Sequence, residues 1–185
     1  RVLNDDTIAG GAGFGMHEHS NMEIVTIQLS GTLEHRDSMG NIGTITPGEV
    51  QVMSAGSGVR HSEYNASATE PASLLQIWIE TATPEAKPRY DQMSFFKNEK
   101  PATWNCLVGP EKNPHGLWIH QDAWVYSIRS AKGSVPAYHL QKPTHGVYFF
   151  VVEGSVRIDG QELGRRDGLG VEGVKTIEIE ARTVV

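Results

Sequence analysis

The sequence predicts an all-β protein built from two β-domains of similar construction. Short stretches of β-forming residues recur at spacings of roughly 8–12 residues, and glycine, proline or asparagine separates them. Such spacing is typical of a β-sandwich or a β-barrel. The order of elements also returns in weaker form in the second half, where an apolar strand again meets a glycine turn and then a short strand. Residues 27–33 and 151–156 show this likeness best.

Composition narrows the classes of protein and partner that fit this chain. The net charge of −6 argues against direct nucleic-acid binding, which needs a basic patch. No apolar run approaches the roughly 20 residues of a membrane span, so no membrane partner is expected. Cys106 is the single cysteine, which excludes an intramolecular disulfide and fits a cytoplasmic location. The sequence begins with Arg1 rather than methionine, which predicts that it is part of a longer chain.

The first half of the chain has the pattern of a series of short strands behind a glycine-rich turn. Gly11, Gly13 and Gly15 lack the preceding strand and following helix of a dinucleotide-binding loop, so we interpret them as a turn that gives the backbone room. Alternating or apolar runs, each ended by a turn signal, mark the predicted strands. These lie around residues 17–19, 23–29, 32–37, 42–46, 49–53, 59–64 and 74–80.

Residues 81–101 differ in character from what precedes them. They are polar, contain Pro84 and Pro88 and show no clear period, so we interpret them as a connector with room for a short helical turn at its start. A boundary near residue 100 divides the chain into predicted domains of residues 1–100 and 101–185. The second domain has its own predicted strands, at residues 104–108, 118–120, 124–129, 147–152, 155–158 and 176–180.

Two pairs of metal-binding residue types stand in the first half. His17 and His19 are two residues apart, and so are His61 and Glu63. Side chains at positions i and i+2 of a strand project from the same face, so each pair can aim at one point. Imidazole and carboxylate groups are common ligands of first-row transition metals. We expect the fold to bring both pairs together inside a barrel, although isolated His-x-His pairs also occur as surface residues of strands.

The other candidate residues carry weaker signals. His139 and His145 of the second half stand in no such pair, so the metal is expected in the first domain alone. His120 is likewise expected to be structural or exposed. His35 lies in a charged hairpin, which favours a surface or turn position. Ordinary apolar packing is expected of Met16, Met53 and Cys106.

The motifs around the ligand pairs resemble those of the pirin family. The resemblance extends over nearly the whole chain and is carried by residues 13–26, 33–41, 47–65 and 119–123. It implies a bicupin, in which two double-stranded β-helix (jelly-roll) barrels pack face to face and the N-terminal barrel alone binds metal. Glu18 and Ser20 stand where the family commonly has proline and arginine, and neither is a ligand position.

The resemblance also implies a ligand set and an activity. The family's metal ligands correspond to His17, His19, His61 and Glu63, and the usual metal is Fe2+, with nickel, cobalt, copper, manganese and zinc as alternatives. Bacterial members are similar to quercetin 2,3-dioxygenases, which cleave flavonols with O2 and release carbon monoxide. Glu63 is then expected to take the proton of the flavonol 3-hydroxyl group. Animal members act as transcriptional co-regulators, so an iron-dependent regulatory protein with a protein partner stays open as the alternative.

Glu23 is the rival of Glu63 as the carboxylate ligand. It would share a face with His17 and His19 if their strand continued unbroken, and many cupins outside this family use a glutamate at this place. Glu63 is favoured because it stands two residues from His61. In that case Glu23 is expected to orient a ligand histidine.

Overall fold

The computed structural model describes residues 2–95, 100–110 and 116–185, and the regular structure within them is entirely β-strand. The predicted all-β class is therefore confirmed. No helix in these ranges is long and apolar enough to cross a membrane. The strands are β1 Val2–Ile8, β2 Gly13–His19, β3 Met22–Ser30, β4 Leu33–Asp37, β5 Ile42–Ile45, β6 Glu49–Ser54, β7 Val59–Asn65, β8 Ala72–Glu80, β9 Arg89–Ser94, β10 Asn105–Pro110, β11 Leu117–Ile119, β12 Val125–Ser127, β13 Ala137–His139, β14 Val147–Phe150, β15 Val156–Ile158, β16 Gln161–Leu163, β17 Gly168–Val171 and β18 Thr176–Ala181.

The predicted strands coincide with observed ones, but the sequence pattern missed β1, β9, β13, β16 and β17. Strand β1 shows why. Its centre is Asn4, Asp5 and Asp6, residue types that are depleted in strands. The segment is nevertheless extended because it pairs along its whole length with β8, antiparallel from Val2 opposite Trp78 to Ile8 opposite Ala72. Long-range pairing here overrides a weak local preference.

The connector predicted for residues 81–101 contains a strand, and the helical turn expected at its start is absent from the described residues. Pro84 and Pro88 precede the strand, and the turn between them is made by Glu85 with φ 57°. From Arg89 the chain pairs antiparallel with β6, from Ser54 opposite Arg89 to Glu49 opposite Ser94. Pairing with the edge of β6 thus makes residues 89–94 extended, although their sequence shows no hydrophobic period.

The chain forms two compact units. The first consists of Arg1–Asn98 and Cys106–Tyr126, and the second of Glu99–Asn105 and Ser127–Val185. Two sheets dominate the first unit, a five-stranded sheet in the order β1-β8-β3-β6-β9 and a four-stranded sheet in the order β2-β7-β4-β5. Strand β10 pairs with both β11 and β12, and β11 lies against β6 and β9. The predicted domains, residues 1–100 and 101–185, stay a prediction.

The interior of the first unit alternates between apolar and polar layers. One apolar cluster joins Ile8, Leu33, Ile45 and Leu74, and another joins Ile24, Met53, Ala55 and Val59 with Trp78 packed against it. Leu74 and Trp78 belong to different clusters on one face of β8, and Gln76 lies between them on that face. A layer of buried polar side chains therefore lies between two apolar ones.

The second unit has a smaller core of its own. It contains the four-stranded sheet β13-β18-β15-β16 and the two-stranded sheet β14-β17. Its buried apolar residues come from the four-stranded sheet and from the residue after β14, and they are Val151, Val156, Ile158, Leu163, Ile177 and Ile179. Among the described residues of this unit, no three metal-binding side chains converge.

Candidate metal centre

Strands β2 and β7 bring three histidines together. His17 lies directly opposite His61 in the antiparallel pair, so both side chains leave the same face. His19 follows two residues after His17 on that face. The ring centroids are 4.4 Å apart for His17 and His61, 4.8 Å for His17 and His19, and 5.0 Å for His19 and His61. One ring nitrogen from each of the three lies within 4.8 Å of the others.

Glu63 lies in a second set of converging ligand atoms, which shares His61 with the first. The members of this set are His35, His61 and Glu63, all buried, and their ligand atoms lie within 4.8 Å of one another. His35 lies directly opposite Glu63 in the β4–β7 pair. The four ligands predicted from the sequence therefore occupy two adjoining sets rather than one.

The expectation that His35 is a surface or turn residue is wrong. Its exposed fraction is 0%. In β4 the side chains of Leu33, His35 and Asp37 alternate with those of Glu34 and Arg36, which form an ion pair on the opposite face. The charged neighbours that suggested a surface hairpin are thus the outward half of the strand, and the histidine belongs to the inward half.

Two glutamines hold the carboxylate of Glu63. Gln76 donates from Nε2 to Glu63 Oε2 at 2.7 Å, and Gln51 donates from Nε2 to Oε1 at 3.0 Å. The indole N–H of Trp78 donates to Gln76 Oε1 at 2.9 Å, which fixes that amide with its N–H groups toward Glu63. A carboxylate oxygen can accept more than one hydrogen bond, so both oxygens keep capacity for a metal. The sequence signal for Gln76 was a single amide within an apolar strand.

The histidines present unpaired nitrogen atoms, as a metal site requires. His19 Nε2 and both ring nitrogens of His61 are buried without a hydrogen-bond partner in the described part of the chain. Unpaired buried polar atoms are costly, and a bound metal would satisfy them. His17 donates from Nδ1 to the carbonyl oxygen of Gly15 at 2.7 Å. This contact leaves the other ring nitrogen, Nε2, free to bind a metal. The donor set therefore fits a divalent transition metal.

Burial keeps the imidazoles of His19 and His61 neutral. Burial first, and then the charge of His17 and other neighbouring histidines, lowers the pKa of His61 to about 3. The pKa of His19 is also lowered, by burial and then by the charge of His17. Metal ligation requires neutral imidazole. Both rings can therefore bind a metal at neutral pH without first releasing a proton.

Glu23 lies on the face of the five-stranded sheet that points away from the converging ligands. The expected alignment of Glu23 with His17 and His19 is therefore wrong. The chain turns between β2 and β3, where Asn21 has φ 51°, and the alternation restarts at Met22. Ile24 packs into the interior, whereas Glu23 accepts a hydrogen bond of 2.6 Å from Ser54 on the other face. Glu23 belongs to neither set of converging ligand atoms.

The remaining candidates lie outside both sets. Met53 is fully buried, as expected for a core residue, whereas Met16 is 50% exposed, contrary to that expectation. Cys106 is partly buried. His139 is exposed and contacts Thr176. The other two are intermediate in exposure, namely His120 and His145.

Three histidines and a glutamate converge between the sheets of a β-domain. This arrangement defines a cupin-type protein with a candidate metal site. Comparison with known proteins supplies the family. The family model Pirin matches residues 1–79, and the model for the Quercetinase C-terminal cupin domain matches residues 106–185. The chain belongs to the pirin family.

Several relatives are similar over nearly the whole chain. The quercetin 2,3-dioxygenase of Escherichia coli (strain K12) is 40% identical over 181 residues, which cover 98% of this chain and 77% of that protein. A pirin-like protein of Caulobacter vibrioides is 38% identical over 182 residues, covering 98% of this chain and 78% of that one. The bacterial pirin YhhW from Escherichia coli, solved in complex with nickel(II), matches with a TM-score of 0.92 at 39% identity, covering 100% of this chain and 78% of that one.

Proposed function

We propose that this protein is a metal-dependent dioxygenase that cleaves quercetin-like flavonols with O2. The observation that carries the proposal is the convergence of three imidazoles, two of them with unpaired buried nitrogens, beside a buried glutamate. The similarity to a quercetin 2,3-dioxygenase supports the reaction class. Localisation in the cytoplasm and the absence of nucleic-acid partners, both suggested by composition, belong to the same proposal.

The proposed ligands are His17, His19, His61 and Glu63. Three neutral nitrogen donors and one carboxylate suit Fe2+ and also nickel, cobalt, copper, manganese or zinc. The family resemblance favours Fe2+, and the solved nickel(II) complex of a relative supports a divalent ion. Bound there, a divalent metal would act as a Lewis acid and as a template for the vicinal oxygens of a flavonol.

Glu63 is proposed as the base of the reaction. A carboxylate at this position can accept the proton of the flavonol 3-hydroxyl group, which leaves the substrate as its more reactive anion. Gln51 and Gln76 hold the carboxylate by its two oxygens, at 3.0 Å and 2.7 Å, and so restrict its rotation. They orient Glu63 without donating or accepting the transferred proton.

An exposed aromatic side chain borders the proposed site. Phe14 lies opposite Glu63 in the β2–β7 pair, so its ring projects from the same face as the ligands. The side chain is 45% exposed and therefore accessible. A planar aromatic substrate that reaches the metal would find apolar surface beside it, which favours a fused-ring molecule.

Oxygen uptake with quercetin tests the proposal. Protein loaded anaerobically with Fe2+ is compared with His61→Ala, and the metal content of both is measured. We expect uptake and carbon monoxide release by the parent, and loss of both metal and uptake in the variant. His139→Ala serves as the control, because His139 is exposed and lies outside both ligand sets.

Three results separate the alternatives. Metal-loaded parent protein without oxygen uptake contradicts the dioxygenase and favours an iron-dependent regulatory protein. Parent protein that binds no metal contradicts the metal centre. Uptake that persists in metal-free His61→Ala contradicts the assignment of His61.

A further inference from the structure

We propose that His35, oriented by Asp37, is a positioning residue for the metal ligand His61. In this arrangement His35 accepts a hydrogen bond from the ring nitrogen of His61 that the metal does not use. The inference rests on the metal centre proposed above and is independent of the substrate.

His35 and Asp37 form a buried, fixed pair. The His35 Nε2 atom lies 3.2 Å from Asp37 Oδ2, and neither side chain is exposed. Asp37 also accepts hydrogen bonds from the backbone N–H groups of Met39 at 2.9 Å and Asn41 at 3.0 Å, and from the Asn41 amide at 2.8 Å. Burial alone would raise the pKa of Asp37, but the hydrogen bonds from Asn41, His35 and Met39 outweigh it and lower that pKa.

The Asp37 contact determines which nitrogen of His35 carries hydrogen. An ionised carboxylate only accepts, so His35 Nε2 must be the donor. When Nε2 alone carries hydrogen, the lone pair of the ring lies on Nδ1, and that atom is buried without a partner in the described part of the chain. His35 therefore offers an acceptor to whatever lies beside it.

The His35 ring is also held in its plane. The ring of Tyr90 stacks on it with centroids 4.5 Å apart and 26° between planes. Gly43 lies opposite His35 in the β4–β5 pair, and a Cβ there would come within 2.6 Å of the Tyr90 hydroxyl. The absence of a side chain at residue 43 thus leaves room for the stacked tyrosine.

His61 is the neighbour that lacks a partner. It lies opposite Asp37 in the β4–β7 pair, and its ring centroid is 5.4 Å from that of His35. Both His61 nitrogens are unpaired among the described residues. A histidine that binds a metal through one nitrogen usually donates the other N–H to a fixed acceptor, as His17 does to the carbonyl of Gly15. The two rings are not hydrogen-bonded to each other in this structure, and the proposed contact to His35 Nδ1 forms when a metal holds the other nitrogen of His61.

The test compares His35→Phe with His35→Asn. Phenylalanine keeps a ring against Tyr90 but removes the acceptor, and the asparagine Oδ1 restores an acceptor close to the place of Nδ1. Dissociation constants for Ni2+ are measured by chelator competition, with His139→Phe as the control. We expect His35→Phe to weaken Ni2+ binding about 10–100-fold, His35→Asn to recover most of the loss, and the control to equal the parent.

Pulsed EPR with Cu2+ as a probe ion supplies a readout that a general structural defect would not mimic. The quadrupole coupling of the remote imidazole nitrogen reports the hydrogen bond at that nitrogen. We expect one remote-nitrogen signal of the parent to shift in His35→Phe and to return toward the parent in His35→Asn. The number of coordinated imidazoles should stay the same in all variants. If His35→Phe does not fold, a remote-nitrogen signal of His35→Asn that departs from that of the parent still overturns the inference, because the asparagine oxygen must leave the signal close to the parent's.

The outcomes are distinct from failure of the proposed function. A parent that binds neither Ni2+ nor Cu2+ overturns the metal centre and this inference together. Parent-like affinity and an unshifted remote-nitrogen signal in His35→Phe overturn the inference and leave the metal centre standing. Loss of one coordinated imidazole in His35→Phe also overturns it, because His35 would then be a ligand rather than a positioning residue.

Discussion

At the scale of single residues, the polar layer of the first unit depends on buried hydrogen bonds whose partners cannot be removed without cost. Gln76 connects Trp78, through its Oε1 atom, to Glu63, through its Nε2 atom. It is 7% exposed, so water cannot readily replace it. Removing a partner from a buried charged group costs more than the hydrogen bond contributed, because the remaining group has lost its hydration. The arrangement makes Gln76 a sensitive position although it is not a proposed ligand.

Replacement of Gln76 by methionine should destabilise the protein and slow the reaction. Methionine has a similar length but leaves Glu63 Oε2 and the Trp78 indole N–H without this partner. We expect a loss of about 1–3 kcal/mol in the free energy of unfolding, measured in urea, and a lower kcat with the metal still bound. Gln161→Met, at an exposed position of β16, is the control and should stay within about 0.5 kcal/mol of the parent. Equal stability of the Gln76 variant and the control would contradict this account.

The two candidate carboxylates can be separated directly. Glu63→Gln removes a carboxylate oxygen from the converging ligand atoms, whereas Glu23→Gln changes a residue of the five-stranded sheet that belongs to neither ligand set. We expect Ni2+ affinity to fall at least about 10-fold in Glu63→Gln and to change little in Glu23→Gln. Chelator competition measures both. The reverse ranking would restore Glu23 as the ligand.

At the scale of elements, strand geometry made part of the site predictable. The period of two placed His17 with His19, and His61 with Glu63, from spacing alone. The direct pairing of His17 with His61 depends on the register between β2 and β7, which includes an irregularity between Phe14 and His17. Such a register is fixed by partners distant in the sequence, so no local pattern specifies it.

The errors of prediction have equally specific causes. The alignment expected for Glu23 failed because the turn at Asn21 restarts the alternation. His35 was assigned to the surface from its charged neighbours, although the period of two applied to β4 from the buried Leu33 places it inside. Strand β9 carried no hydrophobic period because it is an edge strand with mostly polar residues. Only the second of these was recoverable from the sequence.

Close contact between β2 and β7 leads to a prediction at Gly13. A Cβ at this glycine would come within 2.5 Å of the backbone carbonyl oxygen of Glu63 and of the Tyr64 ring, so the strands would have to separate. Gly13→Ala should therefore lower the free energy of unfolding by about 1–3 kcal/mol and weaken Ni2+ binding, because β2 carries His17 and His19.

Gly170 in β17 provides the matched control for Gly13. It is an exposed strand glycine with no atom within 4 Å of an added Cβ. Gly170→Ala should leave Ni2+ binding unchanged and shift stability by less than about 1 kcal/mol, because alanine only restricts the unfolded chain. Urea denaturation and chelator competition measure both variants. Parent-like behaviour of Gly13→Ala would show that the β2–β7 contact tolerates a side chain.

At the scale of the whole molecule, the candidate site opposes folding until a metal is bound. Several of its buried polar atoms are unpaired in the described residues, and each lowers the stability of the metal-free protein. A metal that binds the folded state alone adds stability that grows with the logarithm of its concentration above the dissociation constant. Metal loading should thus raise the unfolding temperature of the parent more than that of Glu63→Gln at the same metal concentration.

The same site predicts how stability depends on pH. His61 has a folded pKa of about 3 against an ordinary value of 6.5, so between these values the unfolded chain takes up a proton that the folded chain does not. The free energy of unfolding of the metal-free protein should therefore decrease as the pH is lowered through this window, by up to about 1.4 kcal/mol per pH unit. The lowered pKa of His19 acts in the same direction, and that of Asp37 adds its effect below its ordinary value of 3.8.

Urea denaturation of metal-free protein at pH 7, 6, 5 and 4 measures this dependence. The comparison uses the slope of stability against pH, so a variant may differ in absolute stability. We expect His61→Leu to lose most of the slope between pH 6 and pH 4, because the group that binds a proton only in the unfolded state is gone. His139→Leu, at an exposed histidine of the second unit, should keep the slope of the parent. An equal slope in His61→Leu and the parent would mean that His61 is not held neutral by the fold, and the site would then have to release a proton before it binds a metal.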